Sequence, residues 1–157
     1  MADIEKTTEE LQMVVFALDN SYYGVHILQV QEIIKMTETT KLPNTPDFIE
    51  GIVNLRGKII PVMDLRKKFK LETVKADSNW KILILKIEEM QFGVMVDNIS
   101  EVEKIPVSII EPPPKIVAGG INSEYISGIA KTAKRLLILL DIAKILTEQE
   151  QTMMKVI

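Results

Sequence analysis

Apolar residues in this chain come in short runs of five to eight, broken at regular intervals by Gly, Pro, Asn, Asp or paired acidic residues. Residues 13–18 (MVVFAL) form the first run, and a turn cluster at Asp19, Asn20 and Ser21 separates it from 22–27 (YYGVHI). Such spacing predicts a hairpin. The next residues, 28–36, read as a short turn followed by a strand from about Val30, and Pro43 and Pro46 then impose a stiff loop. The stretch 48–69 (FIEGIVNLRGKIIPVMDLRKKF) predicts a hairpin turning at Arg56 and Gly57, where Gly57 supplies a positive φ, followed by a short helix capped by Asp64. A polar connector, 73–79, leads to 80–87, continuous enough to be buried on both faces, and 91–96 returns from it. Residues 97–104 continue with mixed polarity, and Pro112, Pro113 and Pro114 make a stiff extended segment before a flexible Ala118-Gly119-Gly120. Strands at 125–130 and 135–140 and a short helix at 141–146 complete the pattern, while residues 1–11 read as a polar tail. Many short strands with turn signals and few helices predict small β-barrels or sandwiches.

The pattern occurs twice. Tyr23-Gly24-Val25 recurs as Phe92-Gly93-Val94, 69 residues on, and Val30, Glu32, Ile33 and Lys35 meet Ile99, Glu101, Val102 and Lys104 at the same spacing. Phe48, Gly51, Ile59, Ile60 and Asp64 recur 77 residues on as Tyr125, Gly128, Leu136, Leu137 and Asp141. The longer spacing implies an insertion of about eight residues, in or near the Pro-rich loop. Two halves of this size imply two small barrels, each with a modest core that leans on its neighbour, which leaves room for strand exchange between them. Shared positions are architectural, so Asp64 and Asp141 read as helix caps rather than as a catalytic pair. Arg56-Gly57 has no counterpart, since Ala133-Lys134 stands in its place.

Composition narrows the function. The 157 residues are 46% hydrophobic and 26% charged, which suits a globular chain able to bury a core. A net charge of −3 argues against nucleic acid and anionic membranes as partners. Cysteine is absent, which removes disulfides, thiol catalysis and cysteine-based zinc sites. No apolar run reaches about 18 residues and the acidic start is unlike a signal peptide, so a cytoplasmic location without membrane insertion is expected. His26 stands alone without a Cys or His partner and reads as structural; no phosphate loop, nucleophile motif or metal-ligand cluster is present, and no cofactor is called for. Glu32 and Glu101 read as solvated strand-edge or contact residues. Of the 19 basic residues only Arg56, Arg66 and Arg135 are arginine, the residue suited to bidentate contacts. The turn carrying Arg56 is either an ordinary exposed turn, a partner contact or an ordering ion pair between the barrels.

The segment 48–69, preceded by YYGVHILQVQEI and LPNTP, resembles the CheW family of bacterial chemotaxis coupling proteins, and the resemblance spans about residues 12–146. It implies a mainly all-β chain of two pseudo-repeated five-stranded SH3-like barrels packed together with short helices, the first over about 12–72 and the second over about 80–146. It implies no enzyme activity. Such proteins bridge the cytoplasmic tips of methyl-accepting chemoreceptors and the regulatory domain of the histidine kinase CheA, at membrane-associated receptor arrays. Carried onto this sequence, the resemblance implies receptor contacts at Val30, Glu32, Ile33, Arg56 and Gly57, with Val96, Ile99 and Val102 completing an apolar groove between barrels, and kinase contacts at Leu42 and Pro43. The alternative is a detached regulatory domain of a signalling histidine kinase, which shares the same double-barrel plan.

Overall fold

The computed structural model describes residues 9–72, 74–113 and 123–155, so the Ala118-Gly119-Gly120 segment and the start of the polar tail lie outside the described residues. Local chemistry sets the elements. Strands β1 (Glu10–Leu18) and β2 (Ser21–His26) meet at Asp19 and Asn20, both at positive φ, the mirror-image turn that matches the twist of paired strands. A 3-10 turn, Ile27–Gln29, follows; its Leu28 N–H donates to His26 Nδ1 at 3.2 Å, so the lone histidine is a cap. Then come β3 (Val30–Lys35), β4 (Ile49–Leu55) and β5 (Lys58–Asp64). The β4–β5 turn places Arg56 as well as Gly57 at positive φ (52° and 84°), with Asn54 Oδ1 accepting from Gly57 N–H. Asp64 caps α1 (Leu65–Lys68) by accepting from the Arg66 and Lys67 amides.

The second half repeats the scheme with β6 (Lys81–Ile87), β7 (Met90–Val96), β8 (Asn98–Pro106), β9 (Ile110–Glu111), β10 (Ile126–Lys131) and β11 (Leu136–Leu140). Asp141 caps α2 (Ile142–Ile145), accepting from the Ala143 amide, and α3 (Glu148–Lys155) ends the described chain. Both aspartates are helix caps, in separate places, as the duplication implied.

Two sheets result, ordered β3-β6-β7-β5-β4 and β8-β1-β2-β11-β10-β9. Read position by position they are the same sheet: β3 takes the place of β8, β6 of β1, β7 of β2, β5 of β11 and β4 of β10. The first hairpin of each half therefore lies in the sheet of the other half. Each joins it through one antiparallel pairing, β1 with β8 and β6 with β3, and one parallel pairing, β2 with β11 and β7 with β5. The second sheet has six strands rather than five because β9 is a separate short strand; its counterpart in the first is the bridge between Thr40 and Ile52. At that bridge Gly51 lies at a bulge with φ 154°, and an added Cβ would come within 2.5 Å of the Thr40 carbonyl oxygen. The fold is mainly β, two SH3-like barrels with short helices.

Three cores follow from this plan. Val53, Ile60, Val62, Ile82, Ile84 and Met95 fill one barrel, and Met13, Val15, Ile105, Ala130, Leu137 and Leu139 the other. Between them lies a larger cluster fed by both sheets, including Phe16, Tyr23, Phe69, Leu83, Leu85, Phe92, Val96 and Leu140. β6 is buried on both faces because Ile82 and Ile84 face its barrel while Leu83 and Leu85 face the shared cluster. Rings of Phe16, Tyr23, Phe69 and Tyr125 run through the shared cluster at centroid spacings of 5.7, 5.9 and 5.6 Å.

A charged side chain, Arg66, is buried at the junction. Arg66, on α1, donates to Asp97 from Nε (3.0 Å) and an Nη (2.6 Å), and to the Glu72 carbonyl (2.8 Å); it also reaches Asp19 at 3.4 Å and lies 5.6 Å from the Trp80 ring centroid. Asp97 stands where the chain leaves β7 for β8, so the pair ties one sheet to the other. Its Oδ2 also accepts from the Asp19 amide.

Removing one partner of such a pair leaves the other charge uncompensated. Arg66→Ala is expected to lower stability by about 3 kcal/mol, read by urea unfolding; a loss under about 1 kcal/mol would show that the tie is dispensable. Burial, and then the Asp19 carboxylate, push the Tyr23 phenol up to about 12. Its protonated form is favoured by folding, so this contribution is complete below the unfolded value of about 10 and is lost as pH rises through about 12. The wild type should lose more stability than Tyr23→Phe across that window, and equal losses would place the phenol in water.

Candidate functional site

Strand alternation turns Val30 and Glu32 partly inward and Ile33 outward, and a register shift between Val30 and Glu32 lets the glutamate reach the β4–β5 tip. There Arg56 meets it with two parallel bonds, Nη1 to Oε1 at 2.6 Å and Nη2 to Oε2 at 2.8 Å. This bidentate geometry is specific to guanidinium and carboxylate. The Arg56 side chain remains 74% exposed and that of Glu32 27% exposed, so the pair is fixed in place yet open to a partner. Hydrogen bonding from Arg56, assisted by its charge, holds the Glu32 carboxyl below the usual range despite partial desolvation. Gln31, Leu55, Lys58 and Gln91 complete a concavity of about 350 Å³ around the pair, and Gln91 donates to Gln31 across it.

The other barrel answers with its own version. Glu101 accepts from Lys134 and from Arg135, each at 3.1 Å, and Arg135 also donates to Ser100 at 2.8 Å and stacks 4.5 Å from the Tyr22 ring centroid. The glutamates, read from the sequence as solvated strand-edge or contact residues, are both engaged by hairpin-tip cations while staying partly exposed. Residue-by-residue alignment missed this because the cation sits one or two places further along the second tip. What remains peculiar to the first barrel is the exposed, planar Arg56 contact.

Exposed aliphatic side chains follow the same duplication: Ile33 and Val102 are equivalent, as are Ile59 and Leu136, and all four are exposed. Each barrel thus displays two of them together with a carboxylate–cation pair. Val30 and Ile99 are half-buried against the shared core. Val96 requires a correction: it is fully buried in that core, because β7 is covered on both faces, and it cannot line a groove open to a partner. Ile33 and Val102 stand on β3 and β8, the outer strands of different sheets.

Leu42 and Pro43 lie in the β3–β4 loop, Leu42 half-buried and Pro43 exposed. Thr45 Oγ1 donates to the Leu42 carbonyl at 3.1 Å, and Asn44 takes positive φ (61°). Leu42 borders a concavity of about 220 Å³ with Lys41, Thr45, Pro46, Asp47, Ile49 and Lys67. This loop enters β4 at one end and Arg56 leaves it at the other; seven residues of strand put them on the order of 20 Å apart. The burial and partners of Arg66 were not read from the sequence; its one signal was being one of three arginines among 19 basic residues.

A CheW-like domain model matches residues 12–150. The chemotaxis protein CheW of Klebsiella aerogenes is 39% identical over 142 residues, covering 90% of this chain and 85% of that protein. That of Treponema pallidum is 35% identical over 146 residues, with the same shares covered. In three dimensions the chain is similar to the scaffolding protein TtCheW from Thermoanaerobacter tengcongensis, with a TM-score of 0.80 and 41% identity over 85% of this chain and 90% of that one. No helix among the described residues is long and apolar enough to cross a membrane.

The Arg56–Glu32 pair has a titration signature. Because the folded carboxyl is held low, the pair is intact above the ordinary glutamate range and breaks as pH falls through its folded value. Carbon-detected NMR of the Glu32 carboxyl should show this lowered midpoint and its return to the ordinary range in Arg56→Ala. An identical midpoint in both proteins would mean that the pair does not form in solution.

Proposed function

The chain belongs to the CheW-like family of chemotaxis proteins, and from that premise we propose that it is a non-enzymatic adaptor that bridges chemoreceptor tips and the regulatory domain of the histidine kinase CheA. On this reading it works in the cytoplasm, recruited to receptor arrays, and couples receptor state to kinase activity. The observation that carries the proposal is the separation of two surface patches along β4. At one end the Glu32–Arg56 pair, with Gly57 at the turn and Ile33 exposed nearby, offers a charged, geometrically fixed contact beside an aliphatic anchor. A receptor tip is a helical hairpin, and helices dock through spaced apolar side chains supported by polar contacts. Val30 and Ile99 support the strands that present this surface, and Val102 offers the equivalent anchor on the second barrel. At the other end Leu42 and Pro43 face the kinase. A standard interface buries roughly 800 Å² per partner; against a total accessible surface of 9510 Å², two such faces fit on one small chain.

Reconstitution with receptor-containing membranes and kinase tests the proposal. Kinase activation should depend on this chain. Arg56→Ala should keep the cooperative unfolding of the wild type while weakening receptor binding by about tenfold, and Leu42→Ala should weaken kinase binding with receptor binding kept. Full coupling by Arg56→Ala would remove Arg56 from the contact, and absence of any ternary complex at micromolar protein would remove the adaptor reading.

A further inference from the structure

The C-terminal helix is attached in an unusual way. Its described side chains are exposed or half-buried, and those of Glu150 and Gln151 make polar contacts with the preceding chain. Glu150 makes the principal one. The Lys68 ammonium donates to both Glu150 oxygens, at 2.7 and 2.9 Å, and its side chain is only 8% exposed. Lys68 lies 4.6 Å from the Phe48 ring centroid and 5.7 Å from that of Tyr125, and these two rings are equivalent positions of the two halves. The residue equivalent to Lys68 is Ile145, which is fully buried. The internal symmetry therefore favours an aliphatic side chain at this position, and a buried cation there needs a counter-charge.

The same carboxylate starts the helix. Thr147 Oγ1 accepts from the Glu150 amide at 3.1 Å, while Glu150 Oε1 accepts from the Thr147 amide at 2.9 Å, a capping box. Gln151 Nε2 adds bonds to the carbonyls of Ala143 and Leu146 at the end of α2, both at 3.1 Å. An eight-residue helix is not stable alone in water, so α3 and its docking stand or fall together. Beside it a concavity of about 480 Å³ is lined by Ile87, Met90, Ala143 and Gln151.

We propose that α3 is a strap, clipped across the junction of the two barrels by the Glu150–Lys68 pair, that comes off and melts as a unit while both barrels remain folded. Undocking frees the Lys68 ammonium between the Phe48 and Tyr125 rings and opens the adjoining concavity. Lys67, next to it in sequence, lines the concavity that Leu42 borders.

Amide hydrogen exchange on the full chain decides this. The Gln151 amide, which donates to the Thr147 carbonyl at 2.8 Å, should exchange at least about tenfold faster than the Leu83 amide of β6 in the wild type. In Glu150→Gln and in Lys68→Met it should lose its remaining protection while Leu83 stays protected. Lys68→Met keeps the test valid if Glu150→Gln fails to fold, since methionine fills the site without a charge. Matching exchange of Gln151 and Leu83 in the wild type, or retained Gln151 protection in Lys68→Met, would overturn the strap.

Discussion

Arg66 and Asp97 hold the relation between the two barrels. Asp97 stands at the step where the chain passes from one sheet to the other, and the guanidinium that grips it belongs to the helix following β5. Asp19, in the first hairpin turn, joins the same network through its amide and carboxylate. Three segments far apart in sequence thus converge on one buried cation. Hydrophobic contacts supply most of the drive to associate, but they are non-directional. The fork of Arg66, satisfied by two carboxylates and a carbonyl, is directional and favours one mutual orientation of the sheets.

That orientation matters because the sheets are assembled reciprocally. Each receives the first hairpin of the other half, so neither barrel is built from one half alone. The shared core then has contributions from β1 and β2 on one side and β6 and β7 on the other. A plan repeated twice produces like surfaces, and the exposed Ile33 and Ile59 are matched by Val102 and Leu136. Individual function arises where the repeat is broken. Arg56 corresponds to Ala133, Arg66 to Ala143 and Lys68 to Ile145. The first presents an exposed charged fork at the surface, the second ties the sheets together and the third pairs with the C-terminal helix. All three are cations standing where the other half has an alkyl group.

Two patches at opposite ends of β4 give the adaptor reading its physical content. A strand paired on a barrel is a rigid spacer, so a contact at the Arg56 tip and one at Leu42 are held at a fixed separation. On the proposed reading, partners held at those two ends would be coupled by geometry. The proposed strap pairs with Lys68, which follows Lys67, a neighbour of the Leu42 concavity, on α1.

Much of this was written locally. Alternating apolar runs, mirror-image turns at Asp19-Asn20 and Arg56-Gly57, and aspartate caps at residues 64 and 141 are short-range effects, decided by side-chain period, backbone sterics and hydrogen bonds within a few residues. The duplication, too, is a property of the string alone. Pairing was not. A strand carries no label for its partner, and the same alternation suits either sheet, so tertiary packing decided that β1 and β2 join β8 and β11. It also decided that Val96 is core and that Glu32 is engaged, since each depends on a neighbour far along the chain. The sequence by itself determined the elements, their repetition and the arginine-bearing turn. Only the tertiary structure decided what that arginine touches, because the Glu32 carboxylate lies 24 residues away and is brought to it by the barrel.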